Sequence, residues 1–199
     1  MTVNLEFAKS PLGGAKHGGL DKAVLIQEVP FTPGFDLRVD PDSSGFAAVN
    51  QALGLNLNPK VGTVVRNNAA CIVGDELPAA GGISALCLGP DWWYLTGTAD
   101  IQALLKPVQE SHHISLVDVS SQRTKIEVYG PNAKDVLAHY WEQDLRDEHF
   151  PIDACSQGVL AKAPLIMWHC CENCYLLFPR ASFAKHLWTA LTDAAVEYL

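Results

Sequence analysis

Apolar residues recur with two different periods along the chain, and these periods predict strands that alternate with helices. Short runs rich in β-branched and aromatic residues predict strands in the first half at 23–29, 35–39, 83–89 and 92–96. Phe46, Val49 and Leu53 recur at helical spacing behind a serine cap, and Gly54 stands where a helix of this kind ends. The first half therefore begins with two strands and a capped helix.

A second helix is expected after Thr98, which offers a cap, and Pro107 should end or bend it. Its apolar residues are Ile101, Leu104 and Leu105. The stretch 56–82 is rich in Asn, Gly and Pro, so it is the hardest region to predict. Its only possible strands are short ones at 61–65 and 70–73.

The second half repeats this order of elements. Strands are predicted at 114–119, 124–129, 155–161, 164–169 and 174–178. Gly130-Pro131 opens one helix and Ser182 starts the last; their apolar residues are Val136, Leu137, Tyr140, Phe183, Leu187 and Leu191. The similarity of 37–39 to 126–128, each before a capped helix, indicates a weak internal duplication with halves at about 21–112 and 113–199.

Two predicted strands carry large apolar side chains on both faces. In WWYLT (92–96) and PLIMW (164–168) bulky residues occupy successive positions, whereas an antiparallel strand buried on one face alternates with polar residues. Both faces of the sheet are therefore expected to be covered, by helices on one side and by something else on the other.

Residues 10–20 contain four glycines and one proline and show no apolar period. Such a segment has nothing to add to a core, so residues 1–20 are expected to form a mobile arm ahead of a single domain at 21–199. Ordering such an arm costs conformational entropy, which wrapping around a partner would offset.

The composition narrows the class of function. Lys and Arg number 14 against 22 Asp and Glu, giving a net charge of -8 and a pI near 5.2, which argues against nucleic acid as a partner. Charged residues make up only 18% of the chain and the mean hydropathy is +0.07, so part of the surface is expected to meet another protein.

The chain shows no signal for a membrane or for secretion. No apolar run approaches the roughly 18 residues of a membrane helix, and the N-terminus lacks the basic region and apolar core of a secretory signal. A cytoplasmic location is therefore expected, where the six cysteines would stay reduced.

The densest group of candidate ligands is the segment 169–174, HCCENC. Cys171 and Cys174 form a CxxC, but a structural zinc site needs four ligands, and the sequence has no second CxxC. Only Cys155 and scattered histidines could complete such a site. Glu172-Asn173 lies between two apolar strands, which favours a hairpin rich in buried thiols. A small cysteine-metal protein built on this cluster is the alternative.

Three further groups do not predict a site. His112 and His113 are adjacent before a strand, so their side chains point to opposite faces. Asp118, Ser120 and Ser121 have neither a G-x-S-x-G turn nor a histidine placed as base, which favours a turn at a strand end. The glycine pairs match no phosphate-binding motif; they lie at 13–14, 18–19 and 81–82. No catalytic, cofactor-binding or metal-binding residue is predicted on this chain.

Several stretches resemble the sarcosine oxidase gamma subunit family: LGPDWWYL (88–95), VDVSSQRT (117–124), GPNAKDVL (130–137) and FPRASFAKHLWTAL (178–191). Shorter similarities are SPL (10–12), LR (37–38) and FPIDACSQGVL (150–160). The individual motifs are weak, but their order and spacing are fairly specific, and they cover most of the chain. The chain departs from the family at Asp91-Trp92-Trp93, where Asp-Glu-Trp is usual, and in its cluster of Cys170, Cys171 and Cys174.

This resemblance implies an α+β fold with antiparallel sheets, in which two β-β-α-β-β-β-α halves exchange strands as in the folate-binding domain of aminomethyltransferases. It also implies a non-catalytic subunit that packs on the alpha subunit of a heterotetrameric sarcosine oxidase and, through it, joins the beta and delta subunits. FAD, FMN, NAD, tetrahydrofolate and zinc belong to the other subunits of that assembly, and no cofactor is expected on this chain.

The arm at 1–20 and one sheet face are expected to dock on the larger, folate-domain subunit. The runner-up to this interpretation is a free-standing folate-binding or aminomethyl-transfer protein of the same fold. The chain lacks the extra C-terminal domain that helps aminomethyltransferases enclose their folate, which ranks this alternative lower.

Overall fold

The computed structural model describes residues 9–29, 31, 33–67 and 82–199, which form eleven strands and four α-helices. The first half contains β1 (Lys16–Gly18), β2 (Leu25–Val29), β3 (Gly34–Arg38), α1 (Ser44–Leu53), β4 (Val64–Arg66), β5 (Ile83–Gly89), β6 (Trp92–Gly97) and α2 (Ile101–Ser111). The second contains β7 (Ser115–Asp118), β8 (Lys125–Tyr129), α3 (Ala133–Ala138), β9 (Cys155–Leu160), β10 (Ala163–Cys171), β11 (Cys174–Pro179) and α4 (Ala184–Ala195). From β2 onward, both halves follow the predicted order β-β-α-β-β-β-α.

The strands form two antiparallel sheets that exchange one strand between the halves. Sheet 1 has the order β1-β2-β8-β11-β10-β9, and sheet 2 has the order β4-β5-β6-β3-β7. The first strand of each half, β2 or β7, thus lies in the sheet of the other half. Read outward from the exchanged strand, β2-β8-β11-β10-β9 matches β7-β3-β6-β5-β4 element for element. The predicted duplication is confirmed by this order, and the α+β class with antiparallel sheets is correct.

Each sheet is covered by helices on one face and by the other sheet on its second face. The core between sheet 1 and its helices includes Ile126, Val128, Leu137, Met167, Leu177, Leu187 and Leu191. The core between sheet 2 and its helices includes Leu37, Val49, Leu53, Trp93, Leu95, Ile101 and Leu105. A third core joins the two sheets through Leu86, Tyr94, Ile166, Trp168, Leu176 and Phe178.

The third core explains the strands that carry bulk on both faces. In β6, Trp93 and Leu95 face the helices, whereas Tyr94 faces the other sheet. Burying an aromatic or aliphatic side chain stabilises the fold by roughly 1.5–3 kcal/mol, so both faces contribute to stability. The second covering layer is the other sheet of the same chain. The expectation that a sheet face docks on a larger subunit is therefore wrong for the described residues.

Residues 9–20, the described part of the arm expected at 1–20, pack on the domain instead of forming a mobile segment. β1 pairs with β2 and extends sheet 1, and Leu12 packs against the helix-side core. The carboxylate of Glu28, only 5% exposed, accepts hydrogen bonds from the amides of Leu12 (3.3 Å) and Gly14 (2.8 Å) and from the Ser10 hydroxyl. Thr124 Oγ1 adds a fourth bond at 2.8 Å. A buried carboxylate needs such partners, and the arm supplies three of them.

The helix signals were partly correct. Ser43 caps α1, and Gly54 ends it in the left-handed conformation (φ 62°), as predicted. The cap of α2 is Asp100, whose carboxylate accepts from the amide of Ala103 at 3.0 Å. Thr98 accepts instead from the amide of Gly82 at 3.1 Å. α2 also continues past Pro107 to Ser111, because packing of its apolar face outweighs the one lost backbone bond.

Two further expectations concern the stretch 56–82. The strand predicted at 61–65 is present as β4, shifted to Val64–Arg66. The strand predicted at 70–73 lies outside the described residues.

None of the helices in the described part of the chain has the length and apolar character needed to cross a membrane.

Candidate functional site

The cysteine cluster sits at the hairpin between β10 and β11. Glu172-Asn173 forms the turn, as predicted, and Asn173 adopts the positive φ of 57° that such a turn requires. The pairing of β10 with β11 shifts between His169 and Cys171, which leaves Cys170 in a bulge. The bulge turns the Cys170 side chain into the space between the sheets, beside Cys174.

Three sulfur atoms meet at this hairpin. The Sγ atoms of Cys170, Cys171 and Cys174 all lie within 4.8 Å of one another. Cys170 donates to the carbonyl of Cys174 at 3.5 Å, and Cys174 donates to Oε1 of Glu127 at 3.5 Å. Cys171 is disulfide-bonded, so the expectation that the cysteines stay reduced does not hold at this residue.

The ionisation of the cluster argues against a reactive thiol. The hydrogen bond with Cys170 and burial both raise the pKa of Cys174 far above that of a free thiol. The thiolate is the form that attacks substrates and binds metal, and this side chain stays protonated at neutral pH. Two thiols beside a disulfide-bonded cysteine also fall short of the four ligands of structural zinc. The cluster is best explained as a packed hairpin end.

A buried polar cluster lies next to these thiols, on the face of sheet 1 that meets sheet 2. Glu127 has 0% exposure and accepts from the side-chain amide of Gln27, its cross-strand neighbour. Lys125 lies two residues earlier on the same face and is also buried. Sequence reasoning missed this cluster because Lys125 and Glu127 alternate with Ile126 and Val128, a pattern typical of a solvent-facing side.

Burial perturbs both charges. It lowers the pKa of Lys125 to about 8, although Glu127 nearby acts in the opposite direction. Burial raises the pKa of Glu127, and the bonds from Gln27 and Cys174 partly offset that rise. The pair could hold or pass a proton, but a catalytic site also needs a reacting group within reach, and the raised pKa of the neighbouring Cys174 keeps that thiol protonated.

The remaining sequence candidates are placed in turns and at helix ends. Ser120 Oγ donates to Oδ1 of Asp118 at 2.6 Å, and the Ser120 amide donates to the same oxygen at 2.9 Å. This is the strand-end turn that was predicted. Ser121 and His113 are exposed, and Nδ1 of His112 lies 3.3 Å from the hydroxyl of Ser44. These residues do not form a nucleophile and base pair.

A small cavity of about 250 Å³ opens where the two sheets meet at their β4 and β9 edges. It is lined by Val61, Gly62, Cys87, Leu88, Cys155, Ser156 and Gln157. None of these side chains carries a charge at neutral pH. Burial raises the pKa of Cys155 to about 12, so this thiol is protonated as well. The cavity has no group suited to binding a charged ligand.

Two stretches that carry the family resemblance meet on sheet 2. Arg38 pairs with Asp91 at 2.8 Å, and its guanidinium carbon lies 4.5 Å from the ring centroid of Trp92. The indole of Trp92 donates to Asp36 at 3.1 Å. The LR at 37–38 and the DW at 91–92 thus form one cross-strand unit, in which a cation–π contact adds to an ion pair.

Comparisons with known proteins agree with that resemblance. A family model described as sarcosine oxidase, gamma subunit family matches residues 38–197. The chain belongs to this family. The sarcosine oxidase subunit gamma of Corynebacterium sp. (strain U-96) is 32% identical over 181 residues, covering 89% of this chain and 82% of that protein. The sarcosine oxidase subunit gamma of Corynebacterium sp. (strain P-1) is 29% identical over 184 residues, covering 92% of this chain and 85% of that protein.

Solved structures extend the family match to the fold. A chain of heterotetrameric sarcosine oxidase from Corynebacterium sp. U-96, in complex with pyrrole 2-carboxylate, superposes with a TM-score of 0.80 at 31% identity. The match covers 96% of each chain. The glycine cleavage system aminomethyltransferase T of Bartonella henselae gives a TM-score of 0.54 at 13% identity, covering 82% of this chain and 44% of that one. The second match shows a shared fold, as the family resemblance implied.

Proposed function

We propose that this chain is the gamma subunit of a heterotetrameric sarcosine oxidase and that its role there is structural. The observation that carries the proposal is the match over 96% of both chains to a member of such an assembly. In this proposal the assembly demethylates sarcosine oxidatively to glycine, with hydrogen peroxide and methylene-tetrahydrofolate or formaldehyde as the other products. FAD, FMN, NAD, tetrahydrofolate and zinc are held by the other subunits, and this chain packs on the alpha subunit.

The chemistry of the described residues supports a role without catalysis. Burial raises the pKa of the Cys155 thiol, a hydrogen bond and burial raise the pKa of Cys174, and Ser120 lies in a turn. The buried Lys125–Glu127 pair has no reacting group beside it among the described residues. The two cores on the helix sides and the core between the sheets bury the central strands of each sheet on both faces. A fold of this kind can act as a rigid body that contributes surface to an assembly.

The test is to purify the tagged chain alone and after co-expression with alpha, beta and delta subunits of a sarcosine oxidase. The chain alone should be colourless and should release no hydrogen peroxide from sarcosine. The co-expressed chain should retain flavin-containing subunits through several washes, and the assembly should oxidise sarcosine. Flavin absorbance in the isolated chain, or failure of the chain to retain any subunit, would contradict the proposal.

The same preparation tests the free-standing folate-binding alternative. The match to the aminomethyltransferase covers 82% of this chain and 44% of that one. Equilibrium dialysis of the isolated chain against tetrahydrofolate should show no saturable binding. Saturable binding at one ligand per chain would favour the alternative.

A further inference from the structure

Strand β7 forms one outer edge of sheet 2. It pairs with β3 and, among the described residues, with no second strand. Ser115, Val117 and Asp118 are exposed, and Val117 has 52% of its surface open to solvent. An edge strand offers unpaired backbone groups to another strand, and an exposed apolar side chain on that strand favours such pairing.

The duplicated half of the same chain shows how such an edge is filled. The counterpart of β7 is β2, and the outer edge of β2 is covered by β1. The Glu28 amide donates to the carbonyl of Ala15 at 2.9 Å, and the Gly19 amide donates to the carbonyl of Val24 at 3.4 Å. A short extended segment of three paired residues is therefore enough to cover this position in the fold.

The hydrogen bonds of β7 identify the groups that point outward. The Val119 amide donates to the carbonyl of Gly34 at 2.9 Å, which places Val119 among the residues that bond inward to β3. Bonding direction alternates along an antiparallel strand, so Val117 also bonds inward. The backbone groups of Leu116 and Asp118 then face the open edge. In the aligned halves Leu116 corresponds to Glu28, whose amide bonds to the added segment.

The other sheet edges are less suited to an added strand. β4 and β9 lie against each other: the Cys155 amide donates to the carbonyl of Gly62, and the Val64 amide donates to the carbonyl of Asp153. β1 is three residues long and ends at Gly18, whose positive φ of 79° twists the chain out of the sheet. Short, twisted edges resist strand addition, so β7 is the better position.

We propose that an extended segment of another subunit adds antiparallel to β7, as β1 adds to β2, and places an apolar side chain over Val117. Its backbone bonds to Leu116 and Asp118. Since the chain has a net charge of -8 and Asp118 flanks the edge, the segment is neutral or basic. This inference rests on the proposed role as a subunit and names the surface and the binding mode, strand addition to a sheet edge.

Hydrogen exchange tests the backbone part of this inference. Amide exchange is measured residue by residue in the isolated chain and in the co-purified assembly. The amides of Leu116 and Asp118 should exchange at least about tenfold more slowly in the assembly, because each gains a bonded partner. The amide of Val117 bonds to β3 in both states and serves as the internal control. Equal exchange of Leu116 and Asp118 in the two states would overturn the inference.

A matched pair of variants tests the side-chain part. Val117→Lys places a charge next to the added segment. Val159→Lys, the control, makes the same change on β9, where the valine is 45% exposed. Both variants should fold, since both side chains face solvent. Val117→Lys should lower the amount of retained subunits at least about tenfold, whereas Val159→Lys should retain them within about twofold of the unchanged chain. Retention by Val117→Lys at the unchanged level would overturn the inference.

The outcomes separate this inference from the proposed function. If the unchanged chain retains no other subunit, the proposed function fails. If it does retain them but neither exchange nor Val117→Lys reports on β7, only the edge assignment fails. Light scattering on the isolated chain tests whether a second copy of the chain occupies the β7 edge instead. A dimer that Val117→Lys dissociates would show that a second copy pairs there, which would overturn the assignment to another subunit.

Discussion

The contact between Glu28 and the N-terminal segment gives the most specific prediction about stability. Four donors converge on this carboxylate: the Ser10 hydroxyl, the amides of Leu12 and Gly14, and the Thr124 hydroxyl. Glu28→Ala removes the acceptor and leaves Thr124, which is buried, without this partner. The variant should fold, because the change adds no bulk to the core.

The size of the effect follows from the exposure of the donors. A hydrogen bond to a charged group contributes roughly 1.5–3 kcal/mol, but a donor that water can reach regains part of that. Ser10 and Leu12 are half-buried and Gly14 is exposed, so they can be rehydrated, whereas Thr124 cannot. We expect Glu28→Ala to lower the free energy of unfolding by about 3 kcal/mol. For a chain of this length that corresponds to a fall in Tm of about 6 to 12 °C.

Two assays check this expectation. Urea unfolding gives the change in free energy, with Glu110→Ala on the exposed side of α2 as a control that should stay within about 0.5 kcal/mol. Trypsin cleavage at Lys16, inside β1, reports local opening of the segment and should be faster in Glu28→Ala by up to about a hundredfold. Unchanged stability together with unchanged cleavage at Lys16 would refute the assigned role of Glu28.

The same contacts change the expected result of a truncation. The composition of residues 1–20 predicts a mobile arm with nothing to add to the core, so its deletion would be expected to leave the domain stable. Deletion of residues 2–19 would remove β1 and three of the four partners of Glu28. We now expect the truncated chain to unfold at lower urea concentration, so a loss of partner binding on truncation would not by itself locate the interface in the arm.

Three further predictions concern the interior. Gly158→Ala should lower the free energy of unfolding by about 2 kcal/mol in urea, because a Cβ there would lie 2.4 Å from the buried ring of Trp141; an unchanged midpoint would contradict this contact. Since the pKa of Glu127 is raised above its ordinary 4.5, its contribution to stability is present below that pH and is lost as pH rises through the folded pKa. The free energy of unfolding of Glu127→Gln should therefore rise relative to that of the unchanged chain as the pH is raised from 4.5 to neutral. An equal difference between the two proteins at both pH values, measured by urea unfolding, would disprove this. Cys170 and Cys174 should resist a thiol reagent until unfolding, and elemental analysis should find no stoichiometric zinc; one zinc per chain would support the cysteine-metal alternative.

The sequence by itself determined the element types and their order from β2 onward, but not the strand β1 in the N-terminal segment. Strand and helix periods depend on neighbouring residues, so WWYLT, TKIEVY and the helix ending at Gly54 could be predicted locally. The large apolar side chains on both faces of β6 also predicted that a second layer covers the sheet. The family resemblance rested on ordered motifs, and it predicted the exchanged strands correctly.

Only the tertiary structure decided which layer covers each face and which polar residues are buried. Lys125 and Glu127 alternate with apolar residues in a pattern typical of a solvent-facing side, yet both are buried on the face of sheet 1 that meets sheet 2. Glu28 is buried because the N-terminal segment packs over it. These neighbours are distant in sequence: Gln27 meets Glu127 across 100 residues. The alternation of apolar and polar residues shows that a side chain points away from one core, but it does not show what covers the other face of the strand. The covering layer is set by how the two halves exchange β2 and β7 and stack their sheets.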